Sequence, residues 1–457
     1  MKQASPTQIS SLRRSLGKNK VFTDEDSRNA HGGDAWHAHA LPDLVVEPHS
    51  TSDVIKLMRW SHRYQIPVTA RGAGKGYVGG CVPVQGGVSL SLRKMNRILK
   101  ISAPDSLAIV QPGVNTGHLQ RQVEKRGLYY PPDPASLKES SIGGNIATNA
   151  GGPRCLKYGV TRQYVLGLEV VLADGTAVRV GGLTHKNKLG FELTGIFVGS
   201  EGMLGVVTEA TLRLIPYPPS RAAVVATFDT ARQAASAVSK IQAAGFLPSA
   251  LEVADQLTLE AARNYTSNTP DGNAFLLVEI DGQPGAVKSD LKSLKKILLS
   301  CQPVQIIPAS TPSAIDKLWG MRRDFSYSLR ATGLTKLNED IVVPRGKLVD
   351  LFRFTAKLQK QSGIQVAAFG HAGDGNIHVN LMVPPEKAQS KQAQNALNQL
   401  FKQVIDWGGT LTGEHGVGLA KKPWWTLATT PELHQLHRTI KSALDPQDLL
   451  NPGKFLD

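Results

Sequence analysis

The sequence predicts an α+β chain in two parts, and three observations carry that reading. Up to about residue 217, short strands are separated by three glycine-rich segments. Pro216, Pro218 and Pro219 then break the pattern. Beyond them, strands alternate with amphipathic helices, as expected of helices laid on one face of a sheet. A length of 457 residues is enough for two or three such cores. The expected domains are 1–217 and 218–457.

Composition narrows the class. With 41% hydrophobic and 19% charged residues the chain reads as soluble and globular. Its three cysteines, Cys81, Cys155 and Cys301, are far apart and form no CxxC. That excludes a disulfide framework, a zinc ribbon and an iron–sulfur cluster, and suits a reducing, cytoplasmic compartment. Met1-Lys-Gln-Ala-Ser-Pro6 lacks the apolar core of a signal peptide, and no run approaches the roughly 18 apolar residues of a membrane span. The net charge of +15 raises nucleic acid as a partner, but the basic residues are scattered and not interleaved with aromatics. Diffuse positive charge fits better with anionic substrates, an acidic partner or the inner face of a membrane.

In the first part, Leu44-Val45-Val46 reads as a strand. Ser50 to Asp53 cap a helix to about Tyr64 with Val54, Leu57, Met58 and Ser61 on one face. A short strand, Val68 to Ala70, leads into Arg71-Gly72-Ala73-Gly74-Lys75-Gly76, followed by Gly79-Gly80. Such a loop can turn successive N–H groups inward around a pyrophosphate, or it can be a structural glycine turn; its spacing matches no common nucleotide motif. Asn115 or Thr116 opens a helix closed by Gly127. A rigid segment through Pro132 and Ser136 leads to a second glycine- and asparagine-rich turn, Ser141 to Gly152, suited to a planar, hydrogen-bonding heterocycle. Leu166–Leu172 and Thr176–Val180 flank Asp174-Gly175 as a hairpin. Gly199 to Gly205 is a third glycine turn.

The second part carries the polar clusters. Asp374-Gly375 signals a two-residue hairpin turn. Centred there, the turn pairs His371 directly with His378, their Cβ atoms about 5 Å apart on one face. Two imidazoles so placed can share a metal ion; incidental histidines in a glycine-rich hairpin are the alternative. Asn380 points to the same face. Glu414-His415 sits between glycines and offers a carboxylate ligand and a base, or else a buried, satisfied histidine in a helix-entry loop. Trp319 to Arg322 lies on a helix.

Taken together, Arg71 to Gly76 with Gly79-Gly80, Ile142 to Gly152, Gly199 to Glu209, Gly370 to His378, Gly413 to Gly418 and Leu444 to Lys454 resemble one family. It is the FAD-linked 2-hydroxy-acid dehydrogenases and oxidases: flavin D-lactate dehydrogenase of the cytochrome-linked kind, the glycolate oxidase catalytic subunit and D-2-hydroxyglutarate dehydrogenase. The resemblance runs from about Pro42 to Phe455. It implies a two-part FAD-binding domain of the vanillyl-alcohol-oxidase type (PCMH-type), and a C-terminal α/β substrate domain with helices packed on an antiparallel sheet. The tail, 445–457, is expected to return to the FAD.

The resemblance also assigns roles. Arg71 to Gly76 with Gly79 and Gly80 would hold the pyrophosphate. Pro132, Ser136, Gly143, Gly144, Asn145, Asn149 and Gly152 would line the flavin. Gly205 and Val207 would lie near the nucleotide end, and Asn451 and Lys454 would return to the cofactor. Many relatives tether FAD through a histidine in the first loop; residues 71–80 contain none, so the FAD is expected to be non-covalent. His371, His378 and Glu414 would hold a divalent metal, zinc first, which binds the α-hydroxyl and carboxylate of the substrate. Arg322 would pair that carboxylate, Asn380 would support substrate or ligand, and His415 would take the hydroxyl proton. Relatives acting on dicarboxylates carry a lysine near position 338; here Asn338 stands there, with Lys336 out of register. That favours a small monocarboxylate, D-lactate or glycolate, over D-2-hydroxyglutarate. A flavin-carrying electron-transfer subunit is the other alternative. With no haem or iron–sulfur motif, electrons are expected to leave to a cytochrome, a quinone or an electron-transfer protein.

Overall fold

The computed structural model describes residues 3–456. Met1 and Lys2, from the N-terminal reading, and Asp457, from the expected tail, lie outside the described residues. The chain forms two compact units. One comprises the residues up to Gly151, Gly159–Tyr217 and those from Glu414 onward; the other comprises Gly152–Tyr158 and Pro218–Gly413. The proline break coincides with a boundary. The returning segment, however, begins at Glu414 rather than at residue 445, and a short piece around Cys155 belongs with the later residues.

The first unit holds two main sheets. In the smaller, Leu44–Val46 and Val68–Arg71 flank Val88–Ser91 in parallel, and Val21–Phe22 is antiparallel at the edge. Leu44, Val45 and Val46 are all buried, so these strands read as apolar runs, not alternating patterns. Helix Thr51–Tyr64 begins where Ser50 accepts from the Asp53 amide, and it buries the four residues its spacing predicts. The tail adds to the edge strand: Val68 N–H donates to the Leu449 carbonyl at 2.7 Å, and Asn451 N–H to the Val68 carbonyl at 2.8 Å. The larger sheet is antiparallel, in the order Ile98–Ser102, Leu107–Val110, Val206–Arg213, Val165–Val171, Ala177–Gly181. Its last two strands are the expected Asp174-Gly175 hairpin.

One expected turn is a helix. Ile142–Thr148 is helical, with Ser141 accepting from the Gly144 amide at its start and Asn149 left-handed at its end (φ 51°). Two glycines mask the helix in sequence, because their low propensity outweighs the capping signal.

The second unit is a seven-stranded antiparallel sheet. Its order is Gln305–Ala309, Ser220–Phe228, Ala274–Gly282, Ala250–Ala254, Gln365–His371, Asn376–Val383, Thr335–Val342. Helices cover more than the one face expected: successive residues from Ala222 to Phe228 are all buried. Helices Gln256–Tyr265 and Pro312–Ala331 pack on the face carrying Ala223, Val225, Phe275, Phe369 and Met382. Helices Ala231–Ala243, Pro284–Leu299 and Leu348–Ser362 form a second layer against the same sheet. No helix among the described residues is long and apolar enough to cross a membrane.

Candidate functional site

In the first unit the glycine segments converge on one cavity. Arg71, Gly72, Ala73, Gly74, Lys75, Gly76 and Gly80 line it from the first loop, and Ser136, Gly143, Gly144 and Asn145 from the second segment. Gly205 and Val207 line it from the third, and Glu414 and His415 are in its wall. Most of these groups are backbone amides and small side chains, which suits a flat polar heterocycle joined to a pyrophosphate. The approach at the Glu414 end is close: a Cβ on Gly151 would lie 3.0 Å from Glu414 Cγ and Oε1.

Other expected contacts stand behind the wall. Pro132 lends its carbonyl to Gln120 at 3.0 Å. Asn149 accepts from the Arg162 amide at 2.9 Å. Asn451 Nδ2 donates to the carbonyls of Gly80 at 2.9 Å and Glu201 at 2.7 Å, fastening the tail to the first and third loops. Buried Lys454 donates to the Val82 carbonyl at 2.6 Å. Gly79 packs by Leu419 and Trp36. Gly152 belongs to the other unit.

Two supports went unread in the sequence. Buried Glu201 accepts from the amides of Val417 at 2.7 Å and Gly418 at 2.9 Å, clamping the loop that presents Glu414-His415. Burial pushes its carboxyl above the ordinary range against the pull of those amides. The ring of Tyr77 stacks on His415, centroids 5.3 Å apart at 29°.

In the second unit the hairpin differs from the predicted one. His371 pairs with Asn376 and Phe369 with His378, so the connection is the four residues Ala372 to Gly375, not Asp374-Gly375 alone. The register moves by two. Because side chains alternate with period two, an even shift keeps both histidines on one face. They become diagonal neighbours, ring centroids 5.6 Å apart and nearly perpendicular.

That face is a ladder of rows. Phe369, His378 and Asp340 form one row; Ala367, Asn380 and Asn338 the next; Gln365, Met382 and Lys336 the third. Glu252 lies opposite His371 on the neighbouring strand. Fully buried, it accepts from His371 Nδ1 at 2.6 Å and from Arg322 Nε at 2.6 Å. Burial opposes its charge, but the His371 and Arg322 charges prevail and hold the carboxyl below its usual range. The bond at Nδ1 fixes the ring and directs Nε2 to any metal, an outer-shell arrangement common to histidine ligands. Arg322 lies 4.8 Å over the Phe369 ring, and Glu252 engages only its Nε, not its terminal nitrogens.

Asp340 accepts from Asn376 Nδ2 at 2.7 Å, Thr412 Oγ1 at 3.0 Å and the Gly413 amide at 3.0 Å. It therefore ties the hairpin to the segment that precedes Glu414. Asn380 spends its amide nitrogen on the Ala367 and His378 carbonyls and is fully buried, with Oδ1 unpartnered. Lys336 is offset from Asn338 by two, so it is on the same face; the register argument that set it aside does not remove it from this surface.

The family matches divide the chain near the proline break, although the second of them also takes in residues from Glu414 onward that belong to the first unit. Residues 42–181 match an FAD binding domain, and residues 217–455 match the C-terminal domain of FAD linked oxidases. The glycolate oxidase subunit GlcD of Bacillus subtilis is 39% identical, covering 91% of this chain and 89% of its own. A D-lactate dehydrogenase of Anaerostipes hadrus is 31% identical over 99% of this chain and 98% of its own. The solved structure of p-cresol methylhydroxylase superposes with a TM-score of 0.82 at 20% identity, covering 98% of this chain and 96% of its own; at that identity it speaks for the fold alone. With both domains matched in order and a relative at 39% identity over nine-tenths of its length, the chain belongs to the FAD-linked oxidases.

Proposed function

We propose that this oxidoreductase converts a small D-2-hydroxy acid, D-lactate or glycolate first, to the 2-oxo acid. The observation that supports it most directly is the buried His371–His378 pair with Glu252 on His371 Nδ1 and Arg322 on the same carboxylate. Such a set suits a Lewis-acid metal and a carboxylate substrate. The relatives named glycolate oxidase subunit and D-lactate dehydrogenase support the substrate class.

FAD, when bound, accepts the hydride leaving Cα. The first-loop residues Arg71 to Gly76, Gly79 and Gly80 hold its pyrophosphate, and the remaining cavity residues hold the flavin and nucleotide. The cofactor is non-covalent, since residues 71–80 offer no histidine. His371, His378 and Glu414 would hold a divalent metal, zinc first, which would act as a Lewis acid toward the substrate hydroxyl. Arg322 pairs the carboxylate through its terminal nitrogens. Asn380 keeps the His378 strand in place, with its Oδ1 toward substrate or ligand. His415 takes the hydroxyl proton as the C–H bond breaks, so one proton and one hydride leave together. The electron acceptor that would reoxidise the cofactor is a cytochrome, a quinone or an electron-transfer protein, at a membrane face or in solution.

Anaerobic addition of D-lactate or glycolate to the yellow holoenzyme should bleach the flavin, with the L-lactate enantiomer far slower. Acid precipitation should release the flavin into the supernatant, and His371→Ala should lose bound metal and bleaching together. A protein whose flavin no 2-hydroxy acid reduces would sink the reading.

A further inference from the structure

The first unit holds a second cavity, of about 460 Å³, that the proposed reaction does not use. Leu419, Lys422, Trp425, His434, Arg438 and Phe455 are among the residues that line it. Its walls are flat rings. His434 stacks on Trp425, centroids 5.5 Å apart and 6° from parallel, and Phe455 lies 4.7 Å from Trp425. His437 meets Trp425 and Phe455 edge-on. Burial, then the charge of His434, hold His437 below its ordinary value, so its imidazole is neutral at pH 7 and adds a ring edge, not a charge. Thr429 hydrogen-bonds the His434 ring and fixes its plane.

On its inner side this cavity adjoins the one assigned to FAD. The Leu419 amide donates to the Val78 carbonyl at 2.7 Å, and a Cβ on Gly79 would meet Leu419 Cδ1 at 2.9 Å; Val78 and Gly80 line the FAD cavity. Phe455 packs with Met203 and Val417, and Met203 follows Gly202 of the FAD cavity wall. One layer of side chains separates the two. On the outer side, helix Pro431–Leu444 leaves Leu433 (40%) and Leu436 (55%) exposed, in one stripe with half-buried Ile440, and Leu427 is 53% exposed nearby in sequence. Aromatic walls, a guanidinium donor and an apolar rim suit an uncharged ring with carbonyl oxygens and a hydrocarbon tail. We propose that this cavity binds the ring of an isoprenoid quinone against Trp425, His434 and Phe455, with a carbonyl oxygen on Arg438 and the tail along Leu433 and Leu436. This rests on the 2-hydroxy-acid reading and chooses its electron acceptor. The quinone takes two electrons from the reduced cofactor and two protons from solvent and leaves as the quinol; the cofactor's N5 proton returns to solvent.

The probe is a benzoquinone carrying one isoprene unit, mixed anaerobically with holoenzyme whose flavin has been photoreduced, so that no hydroxy acid is needed. Reoxidation of the flavin should saturate with quinone. Trp425→Ala should raise the half-saturating concentration about 10-fold and Arg438→Leu about 5-fold, while reoxidation by ferricyanide stays within about 2-fold of wild type. Calorimetric titration of the oxidised holoenzyme with the same quinone should show the same two losses of affinity. Arg438 is exposed, so its variant tests the site even where Trp425→Ala does not fold. No reoxidation by quinone, a rate that rises linearly without saturating, equal losses with ferricyanide, or wild-type affinity in Arg438→Leu overturns the site and leaves the hydroxy-acid reading standing. Saturable reoxidation in a protein whose flavin no 2-hydroxy acid reduces keeps the site and overturns that reading instead.

Discussion

Glu252 shows what a single residue contributes that its neighbours in sequence do not advertise. It is 119 positions from His371, and no motif links them. One signal was present: a lone acid in the apolar strand Ala250-Leu-Glu-Val-Ala254, where a buried charge requires partners. The histidines stood out beside the Asp374-Gly375 turn, and Arg322 through the family resemblance; the carboxylate that joins His371 to Arg322 did not. Glu252→Gln should leave Arg322 and His371 without their counter-charge, at a stability loss of about 3 kcal/mol or more at pH 7, and lower affinity at the proposed metal site about 10- to 100-fold. The pH dependence follows from the depressed carboxyl. Its contribution is complete above the unfolded value near 4.5 and is lost as pH falls through the lower folded value. The gap in unfolding free energy between wild type and Glu252→Gln should therefore close on acidification below about pH 4.5, by urea titration at several pH values. A gap independent of pH would assign the loss to packing.

At the scale of an element, the hairpin carrying the histidines was legible in kind and in face but not in register. Asp374-Gly375 favours a two-residue turn, yet strand pairing stops at His371–Asn376. The reason lies in Gly375, at φ +86°: its carbonyl accepts from the Val343 amide at 3.0 Å, and a Cβ there would collide with the Val343 carbonyl oxygen. The neighbouring Gly373 similarly abuts Leu156. These long-range contacts fix a four-residue connection that no local pattern contains. The face survived because the error was even. The helix Ile142–Thr148 was lost to the same kind of override: Gly143 donates to the Pro112 carbonyl at 2.8 Å, and Asn145 Nδ2 to Thr116 Oγ1 at 2.8 Å. Tertiary partners make a helix of residues whose propensity argues for a turn. Gly375→Ala should combine backbone strain with the Val343 clash and lose roughly 2 kcal/mol or more in chemical denaturation. It should also weaken the proposed metal site, since both histidines are on the strands it joins. Unchanged stability would mean the connection relaxes without cost.

Over the whole chain, the order of motifs and the proline break at Pro216 to Pro219 were legible, while the return of the chain at Glu414 was not. Nothing in composition changes there, and the clamp responsible, Glu201 on the Val417 and Gly418 amides, spans 216 positions. The charge of +15 was legible from counting and acts at a distance without specific contacts. A cationic protein acting on anions gathers them through its field, and salt screens that field with a Debye length of about 10 Å at 0.1 M. For a 2-hydroxy acid, kcat/KM should then fall severalfold between about 0.02 and 0.5 M salt, with kcat nearly constant. The charge that acts is spread over the surface, so no single Lys or Arg substitution far from the cavity should abolish the slope. A kcat/KM that does not change over that salt range would mean that the spread charge does not gather the substrate.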